Sequence, residues 1–509
     1  MKVSFVYPTY ESLGIEYLSA VLKKEGHQTE LIFDPSLFDD DMHYLPSFKK
    51  VFSMKVYIVN KIIKSNADLV AFSVNSDRYL WACDLAREVK RRTKVPIVFG
   101  GIHPTSEPEK VISNDFIDYV VVGEGEGAIV DLVERLKNKN DNYDINNVWF
   151  KNKGQVIKNE ARNLIKNLDS LPFPDKNLYS REYTAFQGQY TIITSRGCPF
   201  SCTYCCNNYL RKFYQGKGQY SRYRSIENVI AELKFAKENY RINAVYFFDE
   251  ELFFQTQRAK ELFEAYRKYI NLPFWCYVNP RTMDEEKIDI LEKSGCCEVE
   301  IGVQSLSTTL NTNILKRSMN LKQFKKVINR FQKTKIRVLV DIILGIPTQK
   351  EEHLFEMVDF FSKNKIDGPF LFWLRYYPKT DIIDIAVKEG VLLAEECDEI
   401  NLAQAFYVKG STYNNIFAKI AILISLSCLL PGYLIRLMAR RKVYKYFFPG
   451  PFNFLLGSGI RLKQFILIFL GIKRKRIYFS HRFRFYFYYF WKWIYINGYE
   501  KYRLIIGKN

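Results

Sequence analysis

The stretch RGCPFSCTYC, residues 196–205, follows directly on an apolar strand that the sequence predicts at 190–194. Its three cysteines have the spacing CxxxCxxC, and thiolates are soft ligands that suit iron–sulfur clusters. Three thiolates on one short loop can each bind one iron of a 4Fe–4S cube, which leaves the fourth iron open to another ligand. The sequence therefore predicts Cys198, Cys202 and Cys205 as metal ligands.

A fourth thiol, Cys206, opens a second interpretation, because structural zinc sites use four closed ligands. Cys205 and Cys206 are adjacent, however, which makes binding of both to one ion awkward, and no partner CxxC pair occurs elsewhere. A third interpretation is that the thiols are buried and purely structural. The other six cysteines are scattered, so a disulfide framework is not indicated.

Strand and helix patterns alternate after the cysteine loop. Apolar strands are predicted at 190–194, 244–248, 274–278, 298–303, 337–344 and 370–376, with helical patterns between them. About six such units predict a partial parallel (β/α)6 barrel, whose active site lies at the carboxyl ends of its strands.

The same alternation precedes the loop and predicts an α/β domain with a doubly wound parallel sheet. Ligands of such sheets bind beyond the carboxyl ends of the strands, two of which are glycine-rich here. A small hairpin is predicted around 151–154. We predict four regions: a Rossmann-like domain (1–140), a linker with the hairpin (141–183), the barrel (184–410) and a basic, aromatic, mainly helical C-terminal region (411–509).

The cysteine motif resembles that of the radical S-adenosylmethionine (SAM) superfamily, and further matches cover about residues 190–380. In that family the open iron binds SAM, and one electron from the cluster cleaves it to a 5′-deoxyadenosyl radical. The resemblance implies that polar groups at the ends of the next strands contact SAM. These are Asp249, Glu250, Asn279, Arg281, Glu300 and Gln304.

Each of these polar groups also has a simpler interpretation. Asp249 and Glu250 would form a solvated acidic turn, and Arg281 a surface arginine. Glu300 differs, because a glutamate inside an apolar strand is costly to bury without a partner. The match is partial at 344–348 and 377–380, where the sequence departs from the family pattern.

The N-terminal region, about 1–175, resembles the cobalamin-binding domain that precedes this barrel in one class of the superfamily. The resemblance implies cobalamin contacts at the ends of the strands, by Thr9, Ser73, Gly100, Gly101, His103, Gly123, Glu124 and Glu126. No histidine lies in the Asp-x-His-x-x-Gly motif whose histidine binds cobalt, so a histidine ligand is not expected. The alternative is a flavodoxin-like domain that only positions the substrate.

Positive charge is concentrated at the C-terminus: residues 436–509 carry 17 Lys and Arg against one acid, a net +16 out of +20. Residues 420–435 have no charge but span only sixteen positions, fewer than the ~20 that a membrane-spanning helix needs. Dense aromatic and basic residues at 474–499 predict contact with an anionic membrane surface. The alternatives are a tail that folds back on the barrel, or one that binds nucleic acid.

The resemblance leads to one principal functional prediction. It is cobalamin-dependent methyl transfer to an unactivated carbon of a small-molecule or lipid (isoprenoid-like) substrate, with a one-electron reductase as partner. The alternatives are an oxidative cyclase or carbon-coupling enzyme, a tRNA-modifying enzyme, and a non-catalytic iron–sulfur or zinc protein. No secretory signal is recognisable at the N-terminus, which predicts a cytoplasmic protein at the inner face of the membrane.

Overall fold

A computed structural model describes residues 1–403 except 41–42, 45, 142, 153 and 181–187, then residues 415–448 and parts of the remainder. The latter are 456, 459–460, 462–463, 466–471, 473, 485–496 and 498. The chain forms two compact units. The first comprises Met1–Gln189, Gly216–Gly218 and the described part of Ile477–Asn509, and the second Tyr190–Gln215 and Gln219–Arg476.

The first unit is built on a seven-stranded sheet of order β2-β1-β5-β6-β7-β8-β9. The first five strands in this order are parallel. Strand β8 pairs antiparallel with β7, and β8 and β9 form the predicted hairpin. The chain reverses direction across the sheet between β1 and β5, which is the switch point of a doubly wound fold. The strands, with the two-stranded ribbon β3–β4, are β1 (Lys2–Pro8), β2 (Gln28–Asp34), β3 (Asp39–Asp40), β4 (His43–Tyr44), β5 (Leu69–Ser73), β6 (Ile97–Gly100), β7 (Tyr119–Val121), β8 (Val148–Asn152) and β9 (Gln155–Ile157).

Amphipathic helices cover this sheet. They are α1 (Leu13–Lys24), α2 (Pro46–Val51), α3 (Lys55–Lys64), α4 (Tyr79–Arg92), α5 (Ile102–Ser106), α6 (Pro108–Ile112), α7 (Glu126–Lys137) and α8 (Asn177–Ser180). The side chain of Ser12 caps α1 by accepting a hydrogen bond from the Ile15 amide, as N-cap residues do. Helix 485–496 also belongs to this unit, and its Phe485 and Tyr489 are part of the buried apolar core.

The second unit has a six-stranded parallel sheet in simple sequential order, β10-β13-β14-β15-β16-β17. Its central strands are largely buried and rich in apolar residues, as expected where helices cover a parallel sheet, although β15 and β16 also carry charged side chains. A two-residue ribbon, β11–β12, pairs Ser195 with Tyr223 beside the cysteine loop. The strands are β10 (Gln189–Ile192), β11 (Ser195–Arg196), β12 (Arg222–Tyr223), β13 (Ala244–Phe247), β14 (Phe274–Val278), β15 (Cys296–Gln304), β16 (Arg337–Leu344) and β17 (Gly368–Trp373).

A helix follows each strand of this sheet, which gives the predicted (β/α)6 arrangement. The helices are α9 (Cys206–Phe213), α10 (Ile226–Tyr240), α11 (Thr256–Tyr269), α12 (Glu285–Lys293), α13 (Leu321–Gln332), α14 (Glu351–Lys363), α15 (Asp381–Lys388), α16 (Ala394–Asn401), α17 (Asn415–Leu426) and α18 (Gly432–Arg440). The first part of the uncharged run, residues 420–426, lies in α17, where all of its apolar side chains are buried. Among the described residues, none of the helices combines the length and apolarity needed to span a bilayer.

Candidate active site

The cysteine loop begins where β11 ends and is held at both of its ends. Gly197 has a left-handed backbone (φ +83°), and any β-carbon there would collide with the Tyr220 carbonyl, so only glycine fits. At the other end, the Thr203 amide donates to the Leu315 carbonyl (3.1 Å) and its hydroxyl to the Ile314 carbonyl (2.7 Å). The loop is therefore fixed against the segment that follows β15.

The predicted ligands differ in their surroundings. Cys202 is buried, whereas Cys198, Cys205 and Cys206 are half-buried. Burial raises the pKa of Cys198 to about 12. A hydrogen bond from Cys206 lowers the pKa of Cys205 to about 7, so Cys206 supports a neighbouring thiolate. Among the described residues, no three His, Cys, Asp or Glu side chains meet at a single-ion site; a cube does not require this, because each thiolate binds a different iron.

Two arginines approach the same thiol. Arg281 Nη2 lies 3.7 Å from Cys202 Sγ, and Arg317 Nη1 lies 3.5 Å from it. The guanidinium carbon of Arg281 also stands 3.5 Å from the centre of the Phe200 ring, within the cysteine loop. Arg281 was predicted at the site, but Arg317, which is buried, was missed because no motif surrounds it.

The two acids predicted at the end of β13 have different roles. Asp249 is buried, and one carboxylate oxygen accepts hydrogen bonds from the Thr194 amide (2.8 Å) and hydroxyl (3.0 Å). Its other oxygen, Oδ2, is buried without a partner among the described residues. Glu250 is exposed and accepts a hydrogen bond from Asn207 at 3.2 Å. Asp249 is therefore not the solvated acid of the simpler interpretation.

A third acid, Glu251, was missed by the sequence analysis. It is buried, and Oε1 accepts hydrogen bonds from the Phe253 amide (3.1 Å) and the Thr282 hydroxyl (3.0 Å). The Thr282 hydroxyl also donates to the Asn279 carbonyl at 3.1 Å, at the end of β14, and burial raises the pKa of Glu251. Its Oε2 is buried without a partner among the described residues. The segments that follow β13 and β14 thus meet through Glu251 and Thr282.

The polar groups of β15 and β16 form a further cluster. Glu300 hydrogen-bonds to Asp341 on the neighbouring strand, and burial raises the pKa of Asp341 to about 7. Glu300 therefore has the partner that a glutamate in an apolar strand requires. Gln304 has a left-handed backbone (φ +66°), next to a register shift between β15 and β16. Such bulges redirect side chains and are frequent next to functional sites.

In the first unit, Thr9 and Ser73 lie at the carboxyl ends of β1 and β5, the two strands of the switch point. Thr9 is buried with a left-handed backbone (φ +71°), and its amide donates to the Asp34 carbonyl at 2.8 Å. Its hydroxyl oxygen is buried without a partner among the described residues.

The glycines at the end of β6 serve chain packing. Gly100 pairs with Ser73 in the sheet. Gly101 has φ +106°, and a β-carbon there would lie 2.7 Å from the Val74 carbonyl oxygen. The Val74 backbone thus occupies the space beside the α-carbon of Gly101, so the absence of a side chain there serves the packing of β6 against residue 74.

His103 is fully buried, with its ring 4.2 Å from that of Tyr79 and its Nδ1 3.0 Å from the Ser76 hydroxyl. Burial lowers the pKa of His103 to about 4, so the imidazole is neutral at physiological pH. Only its Nε2, which has no partner among the described residues, remains for a ligand.

The predicted residues after β7 mainly organise the loop. Gly123 (φ +76°) donates its amide to the Thr105 hydroxyl at 2.9 Å. Glu124 accepts a hydrogen bond from the Ile165 amide at 2.9 Å, which ties residue 165 to this loop. Glu126 is buried in the first turn of α7, where a negative charge is favourable.

Two family models match the chain. Residues 192–361 match the radical SAM superfamily, and residues 3–133 match the B12-binding domain. Together they cover more than half of the sequence, and the first includes the cysteine loop. The chain belongs to the radical SAM superfamily. It carries an N-terminal B12-binding domain, and the two matched domains imply SAM with a 4Fe–4S cluster, and cobalamin, as cofactors.

The curated relatives of this radical SAM enzyme include methyltransferases and cyclases. An uncharacterized methyltransferase of Pyrococcus horikoshii is 26% identical over 77% of this chain and 84% of its own. An anaerobic magnesium-protoporphyrin IX monomethyl ester cyclase of Rubrivivax gelatinosus is 25% identical over 70% of this chain and 64% of its own. Among solved structures, the cobalamin-dependent SAM radical enzyme OxsB superposes with a TM-score of 0.65 at 16% identity, over 97% of this chain and 84% of its own.

The residues of the radical SAM unit fit SAM and a cluster. A SAM ammonium group needs carboxylate acceptors, and the unpartnered oxygens of Asp249 and Glu251 supply them. A SAM carboxylate needs cationic donors, and Arg281 has a buried Nε without a partner among the described residues. In the B12-binding domain, the unpartnered hydroxyl of Thr9 at the switch point fits a polar ligand.

Proposed function

We propose that this radical SAM enzyme transfers a methyl group to an unactivated carbon of a hydrophobic small molecule. The observation that carries the proposal is that the cysteine loop lies in one barrel with Asp249 and Glu251, each of which has a buried carboxylate oxygen without a partner among the described residues. The same chain also carries a B12-binding domain. When bound, the cluster supplies the electron that cleaves SAM, and cobalamin supplies the methyl group.

The residues of the chain would bind and orient SAM. Asp249 and Glu251 would accept hydrogen bonds from its ammonium group, and Arg281 would donate to its carboxylate. Thr282 would position Glu251, to which its hydroxyl donates, and Asn279 would contact SAM from the end of β14. Glu300 and Gln304 would contact the remainder of SAM from β15.

Anaerobic reconstitution with iron, sulfide and hydroxocobalamin tests the proposal directly. The wild-type enzyme with SAM and a strong one-electron reductant should release 5′-deoxyadenosine, and Cys202→Ala should lose both the iron and this product. Cys397→Ala, at a half-buried cysteine outside the loop, is the matched control, and it should retain the cluster. A fully loaded wild-type cluster that produces no 5′-deoxyadenosine would contradict the proposal and favour an electron carrier.

An oxidative cyclase is the second candidate, supported by the similarity to the Rubrivivax cyclase. The mass of the product separates the two reactions. Methyl transfer adds one carbon and two hydrogens to the substrate, and [methyl-¹³C]SAM labels the product. Cyclisation removes hydrogens and leaves the product unlabelled.

A hydrophobic substrate is proposed because the C-terminal region presents aromatic side chains to solvent among many cations. In helix 485–496, Phe487, Trp491 and Tyr495 are 57%, 53% and 72% exposed, and their spacing of four places them on one face. Aromatic rings of this kind occupy the headgroup level of a bilayer, while Lys and Arg bind the lipid phosphates. We therefore propose that this face contacts an anionic membrane, where a lipid-like substrate would be met. Residues 474–484 and 499–509 of the tail lie outside the described residues.

Flotation with phosphatidylglycerol vesicles tests the membrane contact. Removing the whole tail would also remove core residues Phe485 and Tyr489, so point substitutions are cleaner. Phe487→Ser, Trp491→Ser and Tyr495→Ser together should reduce flotation and leave thermal stability unchanged. Three comparable substitutions elsewhere on the surface, Val51→Ser, Val56→Ser and Leu80→Ser, serve as the control. Equal flotation of the wild type and the triple tail variant would contradict the proposed membrane contact. Salt-sensitive binding to RNA in place of vesicles would also contradict it.

A further inference from the structure

Cys202 differs from the other predicted ligands because two guanidinium groups donate to its sulfur. The distances are 3.5 Å from Arg317 Nη1 and 3.7 Å from Arg281 Nη2, which are ordinary for a sulfur acceptor. By contrast, the contacts described for Cys205 come from neutral groups, Cys206 and Asn207. Positive charge is therefore directed at one corner of the thiolate triad.

Arg317 is fixed in place. Its Nη2 donates to the Gly302 carbonyl at 2.6 Å, and its backbone amide donates to the Asn311 carbonyl at 2.7 Å. A β-carbon at Gly302 would lie 3.1 Å from Nη2, so the glycine leaves room for the guanidinium. The guanidinium group of Arg317 is buried and bonded to Gly302, and the backbone of the residue is bonded to Asn311. The side chain therefore has little freedom to move away from the sulfur.

Two like charges near one sulfur repel each other. Both guanidinium groups lie within 3.7 Å of the Cys202 sulfur, so their charges are close to each other. Such an arrangement is unfavourable unless negative charge lies beside both cations. A cluster held by three thiolates supplies this charge, and it supplies more after it accepts an electron.

We infer that Arg317, assisted by Arg281, is a positioning residue that raises the reduction potential of the cluster through Cys202. The inference rests on the proposed function, in which Cys202 is a cluster ligand. In the step concerned, one electron passes from an external one-electron reductase to the cluster, and no bond to the protein forms or breaks. Hydrogen bonds to cluster sulfurs and nearby positive charge both favour the reduced state, so removing them makes reduction harder.

The test is a redox titration of the anaerobic holoenzyme, first without SAM and then with it, followed by electron paramagnetic resonance of the reduced cluster. Arg317→Gln removes the charge and most of the donors, whereas Arg317→Lys keeps the charge but loses the planar fork. We expect Arg317→Gln to lower the equilibrium constant for reduction about tenfold, or ~59 mV for a one-electron couple. Arg317→Lys and Arg281→Gln should give smaller shifts of the same sign.

Arg211→Gln is the matched control. Arg211 also donates to the cysteine loop, at the Pro199 carbonyl (2.9 Å), but this bond goes to backbone and not to sulfur. Its potential should equal that of the wild type, which separates sulfur hydrogen bonding from general support of the loop. Iron and sulfide are quantified first, so that only loaded protein is compared.

Three results would overturn the inference while leaving the proposed function intact. The first is an unchanged potential in Arg317→Gln and Arg281→Gln. The second is a shift that occurs only with SAM bound, which would assign the guanidinium groups to SAM. The third is loss of the cluster from all three arginine variants, which would show a role in assembly alone. Failure of the wild-type protein to hold a cluster would instead contradict the proposed function itself.

Discussion

Asp249 and Thr194 are joined by two hydrogen bonds, since one carboxylate oxygen accepts both the backbone amide at 2.8 Å and the hydroxyl at 3.0 Å. The Ser195 hydroxyl donates to the same oxygen. The end of β13 thereby holds the two residues that lead into the cysteine loop. This contact explains why an acid at this position is buried, apart from any contact with SAM.

Asp249→Ala should reduce the iron content of anaerobically reconstituted enzyme and lower its thermal midpoint. The substitution leaves the Thr194 amide and two hydroxyl groups unsatisfied, and each buried unsatisfied group costs about 1–3 kcal/mol. Asp249→Asn retains an acceptor oxygen and should hold near-normal iron. Iron analysis together with differential scanning calorimetry measures both effects. Equal iron in Asp249→Ala and the wild type would refute this role in holding the loop.

A buried ion cluster at the start of α1 holds the chain that leaves the B12-binding domain. Lys176 is fully buried, and its Nζ lies 2.6 Å from Glu11 and 2.7 Å from Glu16. The nearby Asp175 amide donates to the Glu16 carbonyl at 3.1 Å. This cluster secures residues 175–176 to α1.

Lys176→Met should destabilise the B12-binding domain by about 3–5 kcal/mol, because it leaves the buried carboxylate of Glu16 and the half-buried one of Glu11 without their cation. Glu16→Gln should cost less, since Glu11 still pairs with the lysine. Hydrogen exchange of the α1 amides measures the local effect in the intact chain. The prediction fails if the α1 amides exchange as slowly in Lys176→Met as they do in Glu16→Gln.

Much of the fold could be predicted from periodicity. The strands predicted at 274–278 and 337–344 coincide with β14 and β16, because buried parallel strands are continuous apolar runs bounded by polar turns. The prediction at 370–376 ran past the end of β17 at Trp373. Leu374 and Tyr376 continue the hydrophobic pattern because they are buried in a core cluster beyond the end of the strand. A hydrophobic run alone does not show where strand pairing stops.

The site could be predicted only where chemistry lies in adjacent residues. The cysteine spacing marked the loop, but Arg317 is separated from Cys202 by 115 positions, and nothing around it distinguishes it from a surface arginine. Glu251 directly follows two predicted acids, but a turn sends neighbouring side chains in different directions. Which of the three acids is buried depends on the backbone of that turn.

The C-terminal helix supports a prediction that separates its two faces. Tyr489 is 1% exposed, and its ring lies 5.8 Å from that of Phe33, so one face of the helix 485–496 packs into the core of the first unit. Tyr489→Ala should cost about 3–5 kcal/mol, as large aromatic truncations in cores do. Phe487→Ala, on the exposed face, should stay within ~0.5 kcal/mol of the wild type. Urea unfolding followed by circular dichroism compares them, and similar losses in both variants would contradict this assignment of faces.

The stability of the barrel should depend on pH through Asp341. Burial raises the pKa of Asp341 from 3.8 to about 7, against the opposing effects of the Glu300 hydrogen bond and the Arg317 charge. Between these two values the folded protein binds more protons at this site than the unfolded chain does. The contribution of Asp341 to the free energy of unfolding therefore falls as pH rises from about 4 to about 7.

Asp341→Asn removes this titration, so the thermal midpoint of the variant should rise relative to that of the wild type between pH 5 and pH 8. Asp359→Asn is the control. Asp359 is an exposed carboxylate on α14 that pairs with Lys363 at 2.6 Å, and its difference from the wild type should hardly change with pH. Scanning calorimetry of the anaerobic holoenzyme at four pH values supplies the comparison. If the difference in thermal midpoint between Asp341→Asn and the wild type does not change with pH across this range, the carboxyl group of Asp341 does not titrate near neutrality.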